Sequence, residues 1–188
     1  MQLKLFMLLL GCTLKGRFTE QHDVFFGIGN TLKDLVPDIL RSWPEAEGNI
    51  HIDAWREVQF VDNYSINVFS KQQPFTNSGL KDIRLFFLNL GGYKQNEFDE
   101  YHYKMILVCE NKSIAIQEAK KTAFYKHIGF KGAPSHIDDK YGVDVDDVYE
   151  IQDILPGHLK EKYTIELSST TNTIEDQVHL GYFRLDKL

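Results

Sequence analysis

The chain has 188 residues, of which 43% are hydrophobic and 26% are charged, a balance typical of a folded globular protein. The net charge of −6 argues against a broad basic surface, so no nucleic-acid partner is expected. The two cysteines, Cys12 and Cys109, favour free thiols in a reducing cytoplasm over a disulfide framework.

The N-terminal segment from Met1 to Cys12 combines a lysine, a short apolar run and a Leu-Gly-Cys ending, as a lipoprotein signal does. A similar segment begins at Arg84, in the middle of the chain, where no export signal can act. Both segments are therefore predicted to be buried first strands. No stretch approaches the ~20 apolar residues of a membrane span, so no membrane partner is expected.

The two segments begin an internal repeat. KLFMLLLGCTLKGRFTEQH from Lys4 and RLFFLNLGGYKQNEFDEYH from Arg84 agree at eight of nineteen positions, whereas average residue usage gives about one agreement. The identical pairs are Leu5/Leu85, Phe6/Phe86, Leu8/Leu88, Leu10/Leu90, Gly11/Gly91, Phe18/Phe98, Glu20/Glu100 and His22/His102. We expect one module at 1–78 and a second, with loop insertions, at 79–188.

Two shorter matches keep the same order along the chain. The tripeptide HID at 51–53 recurs at 136–138, and YSINVFS at 64–70 resembles YTIELSS at 163–169. The gaps are longer in the second module, which places its insertions near 131–135, 142–146 and 154–162.

Each module is predicted to start with two strands, at 3–11 and 22–28 in the first and at 83–91 and 102–108 in the second. A helix follows in each module. Apolar residues recur at helical spacing from Leu32 to Trp43 after a cap at Asn30, with a kink or a break expected just before Pro37. The second helix is expected to run from a cap at Ser113 to Gly129.

Further strands are predicted at 49–60 and 64–70, and in the second module at 136–151 and 162–169, with a last strand at 178–185. The acidic stretch from Asp138 to Asp153 is expected to interrupt the third strand as a solvated loop. The fold class is therefore α+β, as two tandem ββαββ modules of mainly antiparallel sheet with one helix each. Pseudo-two-fold packing would cover the free faces of the two sheets.

The segments GRFTEQHDVFFGIG, LKDLVPDI and HIDAWREV, with HIDDKYGVDVDDVYEI in the second half, resemble the bacterial domain of unknown function family 1543. The resemblance covers nearly the whole chain, and HIDAWREV is its most distinctive part. It implies two tandem copies of one domain. It implies no activity and no functional residues.

One set of polar residues is suited to metal binding. Glu-x-His at 20–22 and His-x-Asp at 51–53 each place two side chains on one face of a strand, because strand side chains alternate. If the strands are neighbours, Glu20, His22, His51 and Asp53 converge and suit zinc, manganese or iron. The second module repeats the set as Glu100, His102, His136 and Asp138. The alternative is that these residues cap loops or bind backbone groups.

Two weaker candidates remain. Trp55, Arg56 and Glu57 differ between the modules, and Trp and Arg are frequent interface anchors, although a Trp that covers a sheet edge is the alternative. The GIGNTLKDL segment offers glycines before a helix, as phosphate sites do, but lacks the third glycine of a dinucleotide fingerprint. An ordinary strand-to-helix turn explains it as well.

The sequence contains no recognisable catalytic motif, which favours a non-enzymatic binding or assembly module, with a homo-oligomer as the expected assembly. The alternative is a metal-dependent enzyme that acts on a small substrate through Glu20, His22, His51 and Asp53. Apart from that divalent metal, no cofactor is indicated, and no small-molecule ligand is specified.

Overall fold

The computed structural model describes residues 3–72, 82–93, 96–121, 143–171 and 174–188. The strands are β1 Lys4–Cys12, β2 Gln21–Gly29, β3 His51–Glu57, β4 Phe60–Val61, β5 Tyr64–Ser70, β6 Arg84–Tyr93, β7 Glu100–Cys109, β8 Val143–Glu150, β9 Tyr163–Ser169 and β10 His179–Arg184. The α-helices are α1 Val36–Ser42, α2 Lys112–Ala119, α3 Ile151–Ile154 and α4 Gly157–Lys162. The predicted α+β class is confirmed. In the ranges that the structure describes, no helix is both long and apolar enough to cross a bilayer.

The chain divides into two compact units. Unit 1 combines Met1–Leu80 with Leu155–Leu188, and unit 2 is Lys81–Ile154. The predicted division placed the last segment in the second module. It joins unit 1 because β9 and β10 form hydrogen-bonded ladders with strands of the first module.

The main sheet of unit 1 has the antiparallel order β10-β3-β1-β2. One face of this sheet carries the core, in which Leu8 and Leu10 of β1 pack with Leu35 and Ile39 from the helical segment. Gly11 lies between Leu10 and the buried Cys12, so alternation of side chains directs it to the opposite face. The end of β1 thus places a small residue on the face opposite this core, where Asp53 and His51 lie over it.

The helical segment begins one residue later than predicted. Thr31 is the N-cap of a 3-10 turn over Leu32–Leu35, which passes into α1 at Val36, just before Pro37. The break expected before Pro37 is therefore confirmed. Its physical reason is that a proline has no amide hydrogen to donate, whereas the first turn of a helix needs none.

A second sheet of unit 1 has the order β4-β5-β9. The matched segments at 64–70 and 163–169 are antiparallel partners in it, from Tyr64 opposite Ser169 to Ser70 opposite Tyr163. The two matched strands of the repeat therefore share one ladder.

Unit 2 contains the antiparallel sheet β7-β6-β8, with α2 packed on one face through Ala115 and Ala119. Asn111 caps α2, not Ser113, and accepts a hydrogen bond from the Ile114 amide at 3.0 Å. The helix ends at Ala119, and its predicted continuation to Gly129 lies largely outside the described residues.

The prediction that the acidic stretch from Asp138 to Asp153 forms a solvated loop was wrong for its described part. Val143–Glu150 is the strand β8, not part of a loop, and it pairs with β6 as β3 pairs with β1. The register places Asp144 opposite Gly91, where His51 lies opposite Gly11. The structural counterpart of 51–53 is therefore 144–146, and the sequence match with 136–138 was wrong. Alternating aspartates hid this strand because acidic residues are uncommon in strands.

Candidate metal centre

A row of three residues crosses the sheet of unit 1 at one level. Gly11 of β1 pairs in register with His22 of β2 on one side and with His51 of β3 on the other. Residues directly opposite in a ladder point to the same face, so both imidazoles flank the glycine. Glu20, two residues before His22, and Asp53, two residues after His51, complete the first polar cluster: Glu20, His22, His51 and Asp53.

Asp53 lies at a β-bulge of β3. Ile52 lies opposite Leu10 and Ala54 opposite Leu9, so Asp53 is the extra residue of β3. Bulges redirect side chains and are frequent beside functional sites. This bulge leaves Ile52 in the core while both His51 and Asp53 face the cluster.

The four side chains form an alternating ring of imidazoles and carboxylates. His22 Nε2 lies 3.2 Å from Asp53 Oδ2 and 3.6 Å from Glu20 Oε2. His51 Nε2 lies 3.1 Å from Asp53 Oδ1 and 3.1 Å from Glu20 Oε1. One ligand atom from each of Glu20, His51 and Asp53 lies within 4.8 Å of the others. His22 is not part of this closer group of three, but its contacts with Asp53 and Glu20 bring all four predicted residues together.

Three of these four separations match the edges of a metal coordination polyhedron. With metal–ligand bonds of about 2.1 Å, neighbouring ligand atoms lie about 3.4 Å apart in a tetrahedron and about 3.0 Å apart in an octahedron. Both 3.1 Å contacts of His51 and the 3.2 Å contact of His22 with Asp53 fall in this range, whereas the 3.6 Å contact of His22 with Glu20 is longer. Two imidazoles and two carboxylates are donors that divalent first-row metals accept.

Burial and polarity also fit a cation. His51 is buried at 6% exposure, whereas the side chains of Glu20 and His22 remain about 40% exposed and open the cluster to solvent. Asp53 Oδ2 is buried, and among the described residues no contact to it has the geometry of a hydrogen bond, including the 3.2 Å approach of His22 Nε2. A buried carboxylate oxygen without a hydrogen bond is costly unless a cation compensates it.

Gly11 provides the space beneath the ring. A Cβ atom added there would collide with Asp53 Oδ2 and with His51 Nε2. The glycine is therefore required by the close approach of the two side chains and not by its own backbone angle. The repeat had already singled out this glycine as identical to Gly91, but no chemical role was assigned to it.

The C-terminal strand β10 contributes an aromatic wall. The Tyr182 ring stacks on the His51 ring with centroids 4.2 Å apart and planes 30° apart. His51 and Tyr182 also line a cleft of about 490 Å³, together with Arg184 and residues at 36, 40, 48–50, 185 and 186. Arg184 donates two hydrogen bonds of 2.9 Å to Asp186 at the mouth of this cleft. Sequence reasoning missed Tyr182, because its approach depends on the pairing of β10 with β3.

The other predicted binding residues, Trp55, Arg56 and Glu57, do not converge. Trp55 packs against the core and stacks on His179 with centroids 3.9 Å apart. Glu57 accepts a 2.6 Å hydrogen bond from Lys4 Nζ. Arg56 Nη2 lies 3.5 Å from the sulfur of Met7. Trp55 and Glu57 thus have structural contacts within unit 1.

The turn after β2 does not present free amides to a phosphate. Asp34 Oδ2 accepts hydrogen bonds from the amides of Asn30 at 2.9 Å and Thr31 at 3.1 Å. These backbone hydrogen bonds hold the pKa of Asp34 below its ordinary value. The carboxylate occupies the position that a phosphate would need, which supports the turn interpretation.

Both cysteines are buried free thiols. Burial raises the pKa of Cys12, and the nearby charge of Glu20 raises it further. A thiol with a raised pKa is a weak nucleophile, so Cys12 is a core residue.

In unit 2, Glu100 and His102 of β7 meet Asp146 of β8, and we call these three the second polar cluster. The predicted partners His136 and Asp138 lie outside the described residues. Asp146 was missed because the wrong tripeptide was matched to 51–53.

Comparison with known proteins places these observations in a family context. Residues 17–68 match the family model described as Domain of Unknown Function (DUF1543), which confirms the resemblance seen in the sequence. The matched range contains all four residues of the first polar cluster.

A particular solved structure is similar along nearly the whole chain. It is the crystal structure of a protein Il1583 from Idiomarina loihiensis, with a TM-score of 0.57 and 20% identity, covering 97% of this chain and 98% of that chain. At this level of identity the similarity concerns the fold alone. No curated protein shows a significant match.

Proposed function

We propose that this protein binds a divalent metal ion at the first polar cluster, with Glu20, His22, His51 and Asp53 as its ligands. The observation that carries the proposal is the alternating ring, in which each imidazole nitrogen faces one oxygen of each carboxylate at 3.1 to 3.6 Å. This is a binding function, and it requires no catalysis.

A network of ion pairs without metal is the competing explanation. In that network, protonated imidazoles would donate hydrogen bonds to the carboxylates. A ring NH donates one directed hydrogen bond, whereas each Nε2 faces two oxygens at similar distances. The buried Asp53 Oδ2, whose 3.2 Å contact with His22 lacks hydrogen-bond geometry in the described ranges, and the close approach of Asp53 and His51 over Gly11 both favour a cation instead.

The donor set selects among cations. Two imidazoles favour Zn²⁺, Fe²⁺ and similar ions over Mg²⁺ and Ca²⁺, which prefer oxygen ligands. Zn²⁺ and Co²⁺ are therefore suitable probes. Co²⁺ has the advantage that its visible absorption is strong in four-coordinate sites and weak in six-coordinate sites.

The test is metal analysis of the purified chain, followed by calorimetric titration of the metal-free protein with Zn²⁺ and by Co²⁺ absorption. His22→Ala and His51→Ala are each expected to weaken binding at this site by tenfold or more, about the effect of losing a ligand's support. His158→Ala serves as the matched control, because His158 is an exposed histidine of unit 1 outside the cluster. Absence of stoichiometric Zn²⁺ binding, or equal binding by all variants, would refute the proposal.

A metal-dependent enzyme is the second candidate function. The observation that favours it is the cleft of about 490 Å³ that the proposed ligand His51 and its stacking partner Tyr182 line. A metal ion there would supply polarisation of a carbonyl or phosphoryl oxygen of a small substrate. Turnover of an ester or phosphoester panel by Zn²⁺-loaded protein, lost in Glu20→Gln, would support it. Equal rates with the variant would exclude it.

Location and assembly complete the proposal. We place the protein in the cytoplasm, because two buried free thiols suit a reducing compartment. Fractionation of the producing cell would test this, and recovery outside the cytoplasmic fraction would contradict it.

A homo-oligomer stays a prediction. Sedimentation at low and high protein concentration tests it, and a concentration-independent monomer would contradict it.

A further inference from the structure

We propose that unit 2 contains a second, chemically different metal site, with Glu100, His102 and Asp146 as ligands. His102 Nε2 lies 3.4 Å from Asp146 Oδ2 and 3.9 Å from Glu100 Oε2. Ligand atoms of the three residues lie within 4.8 Å of one another. This site uses none of the residues of the first polar cluster, so it stands or falls separately.

The second polar cluster rests on the same backbone arrangement as the first. Gly91 pairs in register with His102, as Gly11 pairs with His22. A Cβ atom added at Gly91 would collide with the Asp146 carboxylate. Asp146 is the extra residue of a bulge, because Val145 lies opposite Leu90 and Asp147 opposite Asn89. Three independent details, the glycine, the bulge and the Glu-x-His pair, therefore recur.

The donor atoms differ. Where β3 has His51 opposite Gly11, β8 has Asp144 opposite Gly91, so this register position carries no imidazole in unit 2. The described ligands of the second polar cluster are one imidazole and two carboxylates. Oxygen-rich sets suit Mn²⁺ and Mg²⁺, whereas imidazole nitrogens suit Zn²⁺.

The distances between ligand atoms also indicate a weaker preference for Zn²⁺ over Mn²⁺ at the second polar cluster. The contacts around His102 are 3.4 and 3.9 Å, against 3.2 and 3.6 Å around its counterpart His22. A wider ring fits longer metal–ligand bonds. Every site of this kind favours Zn²⁺ over Mn²⁺, but the loss of an imidazole reduces that advantage. The second site thus discriminates less between Zn²⁺ and Mn²⁺ than the first.

The experiment uses the full chain, with Zn²⁺ and Mn²⁺ alone as probes. Zn²⁺ is followed by calorimetry, and Mn²⁺ by the loss of the electron paramagnetic resonance signal of the free ion. Wild type is expected to bind two ions per chain, with the ratio of Zn²⁺ to Mn²⁺ affinity at least about tenfold smaller at the second site. His102→Ala is expected to remove the weaker Zn²⁺ site and most Mn²⁺ binding. His51→Ala is expected to remove the tighter Zn²⁺ site.

Glu100→Gln provides a second variant, because Glu100 is an exposed side chain whose change to an amide preserves shape. It is expected to lower Mn²⁺ affinity at the second site with unchanged urea unfolding. If His102→Ala and Glu100→Gln bind as much metal as wild type, the second site is refuted while the first stands. If His51→Ala changes nothing but His102→Ala removes an ion, the first site is refuted and the second stands. An equal Zn²⁺ preference at two intact sites would overturn the claim of different chemistry.

Discussion

Tyr182 stacks on His51 with ring centroids 4.2 Å apart, although the two residues lie in the last and the third strand of the chain. The contact exists because β10 adds to the edge of β3, with Arg184 opposite His51. A register irregularity between Leu180 and Phe183 contains Gly181, whose φ of 148° favours glycine. The C-terminal strand therefore restricts the orientation of a proposed metal ligand.

Replacing Tyr182 by Ala is expected to weaken Zn²⁺ binding at the first polar cluster by about two- to tenfold, the equivalent of about 0.5–1.5 kcal/mol for an aromatic pair. Loss of the ring allows His51 to leave its orientation before the ion binds. Tyr182→Phe keeps the ring and is expected to bind as wild type does. Calorimetric titration measures the difference.

The matched control for this prediction is Leu180→Ala, which removes another exposed side chain from the same strand. It is expected to leave Zn²⁺ affinity unchanged. Equal affinities of the Tyr182→Ala and Leu180→Ala variants would show that the stacked ring does not position His51.

Gly11→Ala is expected to abolish Zn²⁺ binding at the first polar cluster while the protein remains folded. The added methyl group would collide with Asp53 Oδ2 and His51 Nε2, so these side chains must move apart. Overpacking of this kind costs about 1–3 kcal/mol at most well-packed sites. Urea unfolding measures that cost, and calorimetry measures the loss of binding.

Two glycines serve as controls for Gly11→Ala. At Gly157 an added Cβ meets nothing within 4 Å, so Gly157→Ala should bind Zn²⁺ as wild type does. Gly91→Ala should spare the first polar cluster and affect the second. Retention of tight Zn²⁺ binding by Gly11→Ala would contradict the position proposed for the ion.

The partly buried carboxyl group of Asp176 is expected to make the free energy of unfolding depend on pH in an unusual direction. Its carboxylate accepts hydrogen bonds from the amides of Gln59 at 2.9 Å and Phe60 at 3.2 Å. Burial nevertheless outweighs these bonds and raises the pKa of Asp176 above its ordinary value of 3.8. The folded state therefore holds this proton more tightly than the unfolded state. The resulting stability is fully present below the unfolded pKa and is lost as pH rises through the folded pKa.

The measurable consequence is a comparison with Asp176→Asn, which cannot ionise. As pH falls from 7 towards 3.5, wild type should gain stability relative to this variant in urea unfolding. Asp34→Asn should show the opposite slope, because the pKa of Asp34 is lowered and its contribution is lost as pH falls. Slopes of the same sign for both variants would mean that burial does not control Asp176.

The parts of this structure that follow from local patterns could be predicted from the sequence. Apolar runs located β1 and β6, Pro37 located the break before α1, and the Glu-x-His spacing placed Glu20 and His22 on one face. The convergence of Glu20 with His51 and Asp53 depended on β2 and β3 both flanking β1, which sequence analysis stated only as a condition.

The parts that depend on distant pairing could not be predicted. The bulge at Asp53 and its counterpart at Asp146 are register shifts in the ladders, and no residue type marks them. Val143–Glu150 was predicted to belong to a loop because its several acidic residues are uncommon in strands, although it is a strand with one polar face. Tyr182 joins His51 only because β10 returns to unit 1, a topological choice that local propensity does not determine.

The return of β10 also has a consequence for protein synthesis. A ribosome adds about 5–20 residues per second, and domains fold as units while the chain emerges. Unit 2 is continuous at Lys81–Ile154, so all of it emerges from the ribosome before β9 and β10 do. The ligands of the first polar cluster emerge earliest, but the aromatic wall against His51 emerges last. Of the two clusters, the one whose ligands come earlier in the chain is therefore the one that is completed later.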